Sequence, residues 1–179
     1  LKKRMGIPPE ALLCYIQLGA GKINDIDSEL SIVIESLSNH PQVYAVVGES
    51  MLGERVASEF ERVRILRDYP NSRYFADFDF AVMAGGYNSF HETRQSTLSA
   101  LFYPNTKTGM DDQVARCKIA VDEGWGIVVE ERTEQSISEG VNELLALGRR
   151  EKVEEDRSGA WPLAESILGR GEDMEITTY

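Results

Sequence analysis

The chain of 179 residues is 42% hydrophobic and 27% charged, the balance of a folded globular domain large enough to bury a core. No run reaches the roughly 20 apolar residues that span a bilayer, so the chain reads as not integral to a membrane. A net charge of −11 opposes binding along a phosphate backbone, which needs clustered Lys and Arg, so no nucleic-acid partner is expected.

The basic start runs into Pro8-Pro9 with neither a signal-peptide core nor a cleavage site. It also lacks an initiating methionine, and residues 1–10, with Lys2-Lys3-Arg4, read as a linker stub from an absent N-terminal domain. Leu12 to Leu18 is a strand candidate, followed by the turn Gly19-Ala20-Gly21 and by a helix that Asp25 or Asp27 caps and that runs to Leu37. Gln42 to Val47 reads as a second strand, Met51 to Phe60 fits a loop or a short helix, and Val63 to Leu66 reads as a third strand. After Asp68-Tyr69-Pro70 come a helical turn over Asn71–Ala76 and a fourth strand over Phe78–Met83. Gly85-Gly86 breaks that strand, and a helix is expected from Ser89 to Thr97. Ala100 to Tyr103 and Gly126 to Val129 are the fifth and sixth strands, separated by a helix from Asp111 to Glu123. Thr133 to Leu147 is a further helix. The Arg149–Leu168 region reads as a charged helix interrupted at Gly159 and Pro162, and residues 170–179 as a flexible tail.

Strands alternating with helices imply an α/β domain: a Rossmann-like, three-layer α/β/α arrangement around a mostly parallel sheet of about six strands. Right-handed crossovers bring every strand C-terminus to one edge, where ligands of such sheets bind. The glycine turns at Gly19, Gly48 and Gly85 all follow strands and therefore meet there. Cys14 and Cys117 fall in buried-looking elements without metal-ligand spacing, and His40 and His91 are the only histidines. Neither a disulfide framework nor a metal site is expected, and a reducing cytoplasm suits the thiols.

Three segments offer chemistry at that edge. Gly19-Ala20-Gly21 begins a dinucleotide fingerprint, but Asn24 stands where its third glycine belongs, which disfavours a nicotinamide cofactor. Gly85-Gly86 leads from an apolar strand into a polar helix start, so the free amides near Tyr87, Asn88 and Ser89 are placed to hold a pyrophosphate. One turn on, the Glu92 carboxylate suits two vicinal ribose hydroxyls. The same residues also spell a capping box, with Glu92 returning to the Ser89 amide, and both readings stand on local pattern. His91 reads as a packing residue. In the third segment Asp112 and Gln113 offer a carboxylate and an amide to sugar hydroxyls, unless Asp111 caps the helix and Asp112 complements its dipole. Lys107 in the preceding loop reads either as a cation for a phosphate or, as is usual for a loop lysine, as a solvated charge.

In order and spacing, Ala76-Asp77-Phe78-Asp79, Gly85 through Glu92, Leu101-Phe102-Tyr103-Pro104 and Asp112-Gln113 resemble the C-terminal domain of GT-B glycosyltransferases. The likeness runs over Leu12–Leu147 and is strongest from Tyr74 to Glu130, nearest to the branch of the peptidoglycan N-acetylglucosaminyltransferase. It implies a donor domain over residues 11–169 that binds a nucleotide sugar, a UDP-sugar by preference, and needs no cofactor. The implied roles are donor diphosphate on the turn Gly85-Gly86 and the amides of Tyr87, Asn88 and Ser89, ribose on Glu92, and transferred sugar on Asp112 and Gln113. Arg67, Asp68 and Tyr69 would border the base, and Gly19, Ala20 and Gly21 would face the interdomain cleft. Catalytic residues and most acceptor contacts would lie in the absent N-terminal domain, leaving this piece inactive alone. Bulky Tyr87 and Phe90 depart from the small residues usual after the family turn. A nucleotide-sugar 2-epimerase of the same architecture, or a non-catalytic nucleotide-binding domain, are the alternatives.

Overall fold

Along the first central strand Leu13 and Tyr15 point to one face and Cys14 and Ile16 to the other, and all four are buried. A strand apolar on both faces must be covered on both, which demands a layered α/β arrangement. The computed structural model describes residues 1–18, 26–48, 60–105, 111–131 and 133–150. It contains the strands β1 (Leu12–Gln17), β2 (Val43–Gly48), β3 (Val63–Leu66), β4 (Phe80–Met83), β5 (Ser99–Phe102) and β6 (Gly126–Val128). The helices are α1 (Lys2–Met5), α2 (Ile26–Ser38), α3 (Tyr87–Arg94), α4 (Gln113–Asp122) and α5 (Glu134–Leu147), with a 3-10 helix over Asn71–Asp77.

The strands form one six-stranded sheet in the order β3-β2-β1-β4-β5-β6, and every pair is parallel. This is the Rossmann-like class that the sequence implies. One core packs α2 and α5 against Cys14, Ile16, Val82 and Leu101; the other packs the 3-10 helix, α3 and α4 against Leu13, Tyr15, Met83 and Phe102. No described helix is long and apolar enough to cross a membrane.

Several boundaries differ from the sequence expectation for identifiable reasons. β4 begins at Phe80 and not Phe78, because the Asp79 side chain takes over the pairing: its carboxylate accepts from the Leu13 amide at 2.7 Å while its own amide donates to the Leu13 carbonyl. The expected linker stub folds against the domain. α1 ends at Gly6 in the left-handed region (φ 64°), and Leu1, Met5 and Ile7 pack on the second core. At the far end Arg150 packs against the end of α3 and the approach to β5, donating to the carbonyls of Thr93, Arg94 and Leu98 with its guanidinium 4.5 Å above the Trp125 ring. The turn Gly19-Ala20-Gly21, the Met51–Glu59 stretch, the loop around Lys107, the helix beyond Arg150 and the C-terminal tail lie outside the described residues.

Candidate nucleotide-binding edge

In the observed strand order the chain winds outward from β1 in one direction and from β4 in the other, so the topological switch point lies between β1 and β4. Open parallel sheets bind ligands in the crevice beyond such a point. The segment that leaves β4 there is Ala84-Gly85-Gly86 followed by α3.

The local backbone explains both glycines. Gly85 has φ +77°, and a Cβ on it would lie 2.4 Å from the Cys117 sulfur, so both conformation and space demand glycine. Gly86 is the N-cap of α3, has ordinary φ, and a Cβ there would meet nothing within 4 Å; its bareness leaves the approach to the helix start open. α3 starts two residues earlier than the sequence suggests, at Tyr87. Its first intrahelical bond runs from the Phe90 amide to the Gly86 carbonyl at 2.9 Å. The amides of Tyr87, Asn88 and Ser89 are thus the helix's leading donors, and Gly86 supplies no side-chain cap.

The early start removes the capping-box reading. Ser89 is the third residue of the helix, its carbonyl accepts from the Thr93 hydroxyl at 2.7 Å, and Glu92 lies on an exposed face. No hydrogen bond to the Glu92 carboxylate occurs among the described residues. Its charge nevertheless reaches the Tyr15 phenol on β1, whose pKa is raised chiefly by burial and also by Glu92, against a hydrogen bond from Asn71. The two bulky residues of the turn part company: Phe90 is buried against Phe102 and Trp125, whereas Tyr87 is 63% exposed and rests between the His91 ring and the Arg116 guanidinium. His91 packs, as its sequence context implies.

At the start of α4, the residue that caps the helix is Asp112 and not Asp111: the Asp112 carboxylate accepts from the Ala115 amide at 2.9 Å. The reason is register. The helix begins at Gln113, which leaves Asp111 one residue too far out, free to turn toward Arg116. Gln113 lends its side-chain oxygen to the Asn105 amide at 2.9 Å, pinning the end of the β5 exit loop. In the loop after β3, Asp68 accepts from Arg4 at 3.2 Å and from Arg73 and the Tyr74 hydroxyl, so its carboxylate is turned toward the protein. Tyr69 beside it is 89% exposed, and Arg67 is exposed too.

Sequence reasoning did not single out Tyr15, Gln17, Asn71 or Arg116. The Tyr15 hydroxyl donates to the Gln17 side-chain oxygen at 3.2 Å and accepts from the Asn71 amide at 3.1 Å, while the Asn71 carbonyl oxygen is buried without a partner among the described residues. A Cβ on Gly48 would lie 2.9 Å from the Tyr15 hydroxyl, so glycine there makes room for this cluster. Of the residues not singled out, only Gln17, the last residue of β1, carried a positional signal in sequence; Tyr15 lies within β1, Asn71 opens the 3-10 helix and Arg116 lies within α4.

No protein-family model matches the sequence, and no curated protein matches it. Solved structures do share its fold. The calicheamicin glycosyltransferase superposes with a TM-score of 0.65 at 17% identity, covering 92% of this chain and 45% of that one. The spinosyn rhamnosyltransferase complexed with thymidine diphosphate gives 0.62 at 16% identity, covering 76% and 38%. The UDP-GlcNAc 2-epimerase from Neisseria meningitidis, bound to UDP-GlcNAc, gives 0.64 at 12% identity, covering 94% and 49%. The chain thus shares its fold with part of each of these proteins and spans less than half the length of each. The fold likeness is to glycosyltransferases of the GT-B architecture and extends to 2-epimerases.

Proposed function

We propose that this chain is the donor-binding half of a glycosyltransferase that moves a sugar from a nucleoside diphosphate sugar, a UDP-sugar by preference, to an acceptor held mainly by another domain. The observation that carries the reading is the uncapped N-terminus of α3 at the switch point between β1 and β4. Three leading amides and the positive end of the helix dipole face the place where a leaving diphosphate gathers charge. In this reading the helix bears that charge without a resident metal.

Glu92 takes the ribose hydroxyls. It stands one turn into the same helix and is exposed. Tyr69, projecting from the loop after β3, is the surface a base meets, with Arg67 beside it, while Asp68 holds the loop in place. Asp112 spends one carboxylate oxygen on its cap; the other, with the Gln113 amide, meets the transferred sugar. Gly19, Ala20 and Gly21 follow β1 in sequence and lie outside the described residues; their role at the cleft is the reading of the sequence motifs. The bond-making base belongs to the other domain, and kinship with the peptidoglycan N-acetylglucosaminyltransferase branch remains the reading of the sequence motifs.

Titration calorimetry of the chain with UDP, dTDP and UDP-sugars tests this directly. Binding of UDP in the micromolar-to-millimolar range is expected, with Glu92→Ala weakening it by roughly tenfold, the worth of about one lost hydrogen-bonding carboxylate. If no nucleoside diphosphate binds, the donor-site reading fails. The 2-epimerase reading draws support from the fold likeness to the Neisseria enzyme; exchange of the sugar C2 proton with solvent by the full-length protein, without any acceptor, would favour it over transfer. A chain that binds nucleotide but whose full-length form does neither is a non-catalytic binding domain.

A further inference from the structure

Beside the turn that opens α3 lies a cation that local helix energetics do not explain. Arg116 is the fourth residue of α4, near a helix start whose own positive end opposes a guanidinium. Its side chain is only 15% exposed and donates to the Gly85 carbonyl at 3.0 Å. The guanidinium lies 5.4 Å from the Tyr87 ring centroid, and Asp111 accepts from both of its terminal nitrogens. A fixed positive charge therefore sits at Gly85–Tyr87 beside the uncapped N-terminus of α3, and among the described residues the carboxylate that pairs with it is Asp111. A planar guanidinium offers its donors as a fork that fits carboxylate and phosphate oxygens alike. Asp111 thus occupies with its two oxygens the kind of contact that a phosphate makes.

Resting on the donor-site reading above, we propose that Arg116 is the residue that reads the diphosphate: Asp111 holds its guanidinium at the mouth of the site and yields it to the ligand's phosphate oxygens. The Gly85 carbonyl anchors the guanidinium through the exchange, and the Tyr87 ring covers it from solvent, which raises the worth of the ion pair it forms. The proposal gives Tyr87 a function that a small residue could not serve.

The test compares UDP, UMP and uridine in calorimetric titrations of the wild-type chain, Arg116→Gln, Arg116→Lys and Asp111→Asn. Arg116→Gln is expected to lower UDP affinity by roughly ten- to a hundredfold, the range for a hydrogen bond to a charged group, while uridine binds as to wild type. Arg116→Lys, which keeps the charge and loses the fork, falls between the two. Asp111→Asn, which no longer competes for the guanidinium, tightens UDP several-fold and leaves uridine unchanged. This last arm stands even if Arg116→Gln fails to fold. Undiminished UDP binding by Arg116→Gln overturns the proposal, as does an equal loss for UDP and uridine, which marks a purely structural arginine. Weaker UDP binding by Asp111→Asn overturns the handover. If wild type binds UDP and these arms fail, the donor-site reading survives alone; if wild type binds neither UDP nor dTDP, both fall.

Discussion

The demand for glycine at Gly85 is the sharpest single-residue constraint at the candidate site. Its φ of +77° costs an L-residue roughly 1–2 kcal/mol, and a Cβ 2.4 Å from the Cys117 sulfur adds an overpacking cost of about 1–3 kcal/mol. Gly85→Ala is therefore expected to lose roughly 2–5 kcal/mol of stability in chemical denaturation. Part of that loss is steric, so a double-mutant cycle with Cys117→Ala should show favourable coupling of at least about 1 kcal/mol. Purely additive losses would mean the backbone conformation alone sets the cost. Cys117 itself is inert as a thiol, since burial pushes its pKa up to about 12. Glu92 presents the opposite case. Exposed, and with no hydrogen bond to its carboxylate among the described residues, it should be replaceable by Ala within about 0.5 kcal/mol of wild-type stability. A larger loss would revive a structural role.

At the scale of elements, both helices at the site were legible as helices, but their starts were not. Ser89 and Glu92 have the spacing of a capping box, yet the glycine pair lets the chain turn helical at once after Gly86, and the motif falls inside the helix. For α4 the competition between two adjacent aspartates is decided one residue later than expected: Asp112 caps, and Asp111 is freed for Arg116. Asp112→Ala should cost about 1 kcal/mol through the lost cap, read by denaturation. Asp111→Asn should leave the cap intact, with far less effect on the stability of α4. Equal losses from the two substitutions would contradict this division of labour. Sequence patterns report which residue types suit a cap, whereas the register of the first turn depends on how strand and helix meet in space.

Across the molecule, the far end of α3 is tied down as firmly as its N-terminus is left open. Arg94 pairs with Glu123 at 2.6 Å, the Trp125 indole donates to the same carboxylate at 2.7 Å, and Arg150 donates to the carbonyls of Thr93 and Arg94. The Arg94 hydrogen bonds, with the Trp125 bond and the nearby charges adding to them, hold Glu123 below the ordinary carboxylate range against partial burial. Asp111 is likewise lowered, chiefly by its bond with Arg116. A carboxylate whose folded pKa is depressed contributes stability that is present above its unfolded pKa and lost as pH falls through the folded one. Glu123→Gln should therefore be less stable than wild type near neutral pH, with the difference narrowing below about pH 4.5. Thermal unfolding across that range checks the sign, and a gap that widens in acid would contradict it.

The sequence by itself determined the α/β class, the parallel sheet, and the glycine turn that leads from β4 into α3. Those follow from short apolar runs alternating with helical segments and from glycine, all of which act over a few neighbours. Only the tertiary structure decided that the turn opens beside β1, that Asn71 bonds Tyr15 within reach of the Glu92 charge, and that Arg116 and Asp111 close on Gly85. These pairings join residues 31 to 77 positions apart or depend on which of two aspartates caps a helix. Side-chain reach across a sheet edge follows from strand order, and strand order is a property of the whole fold.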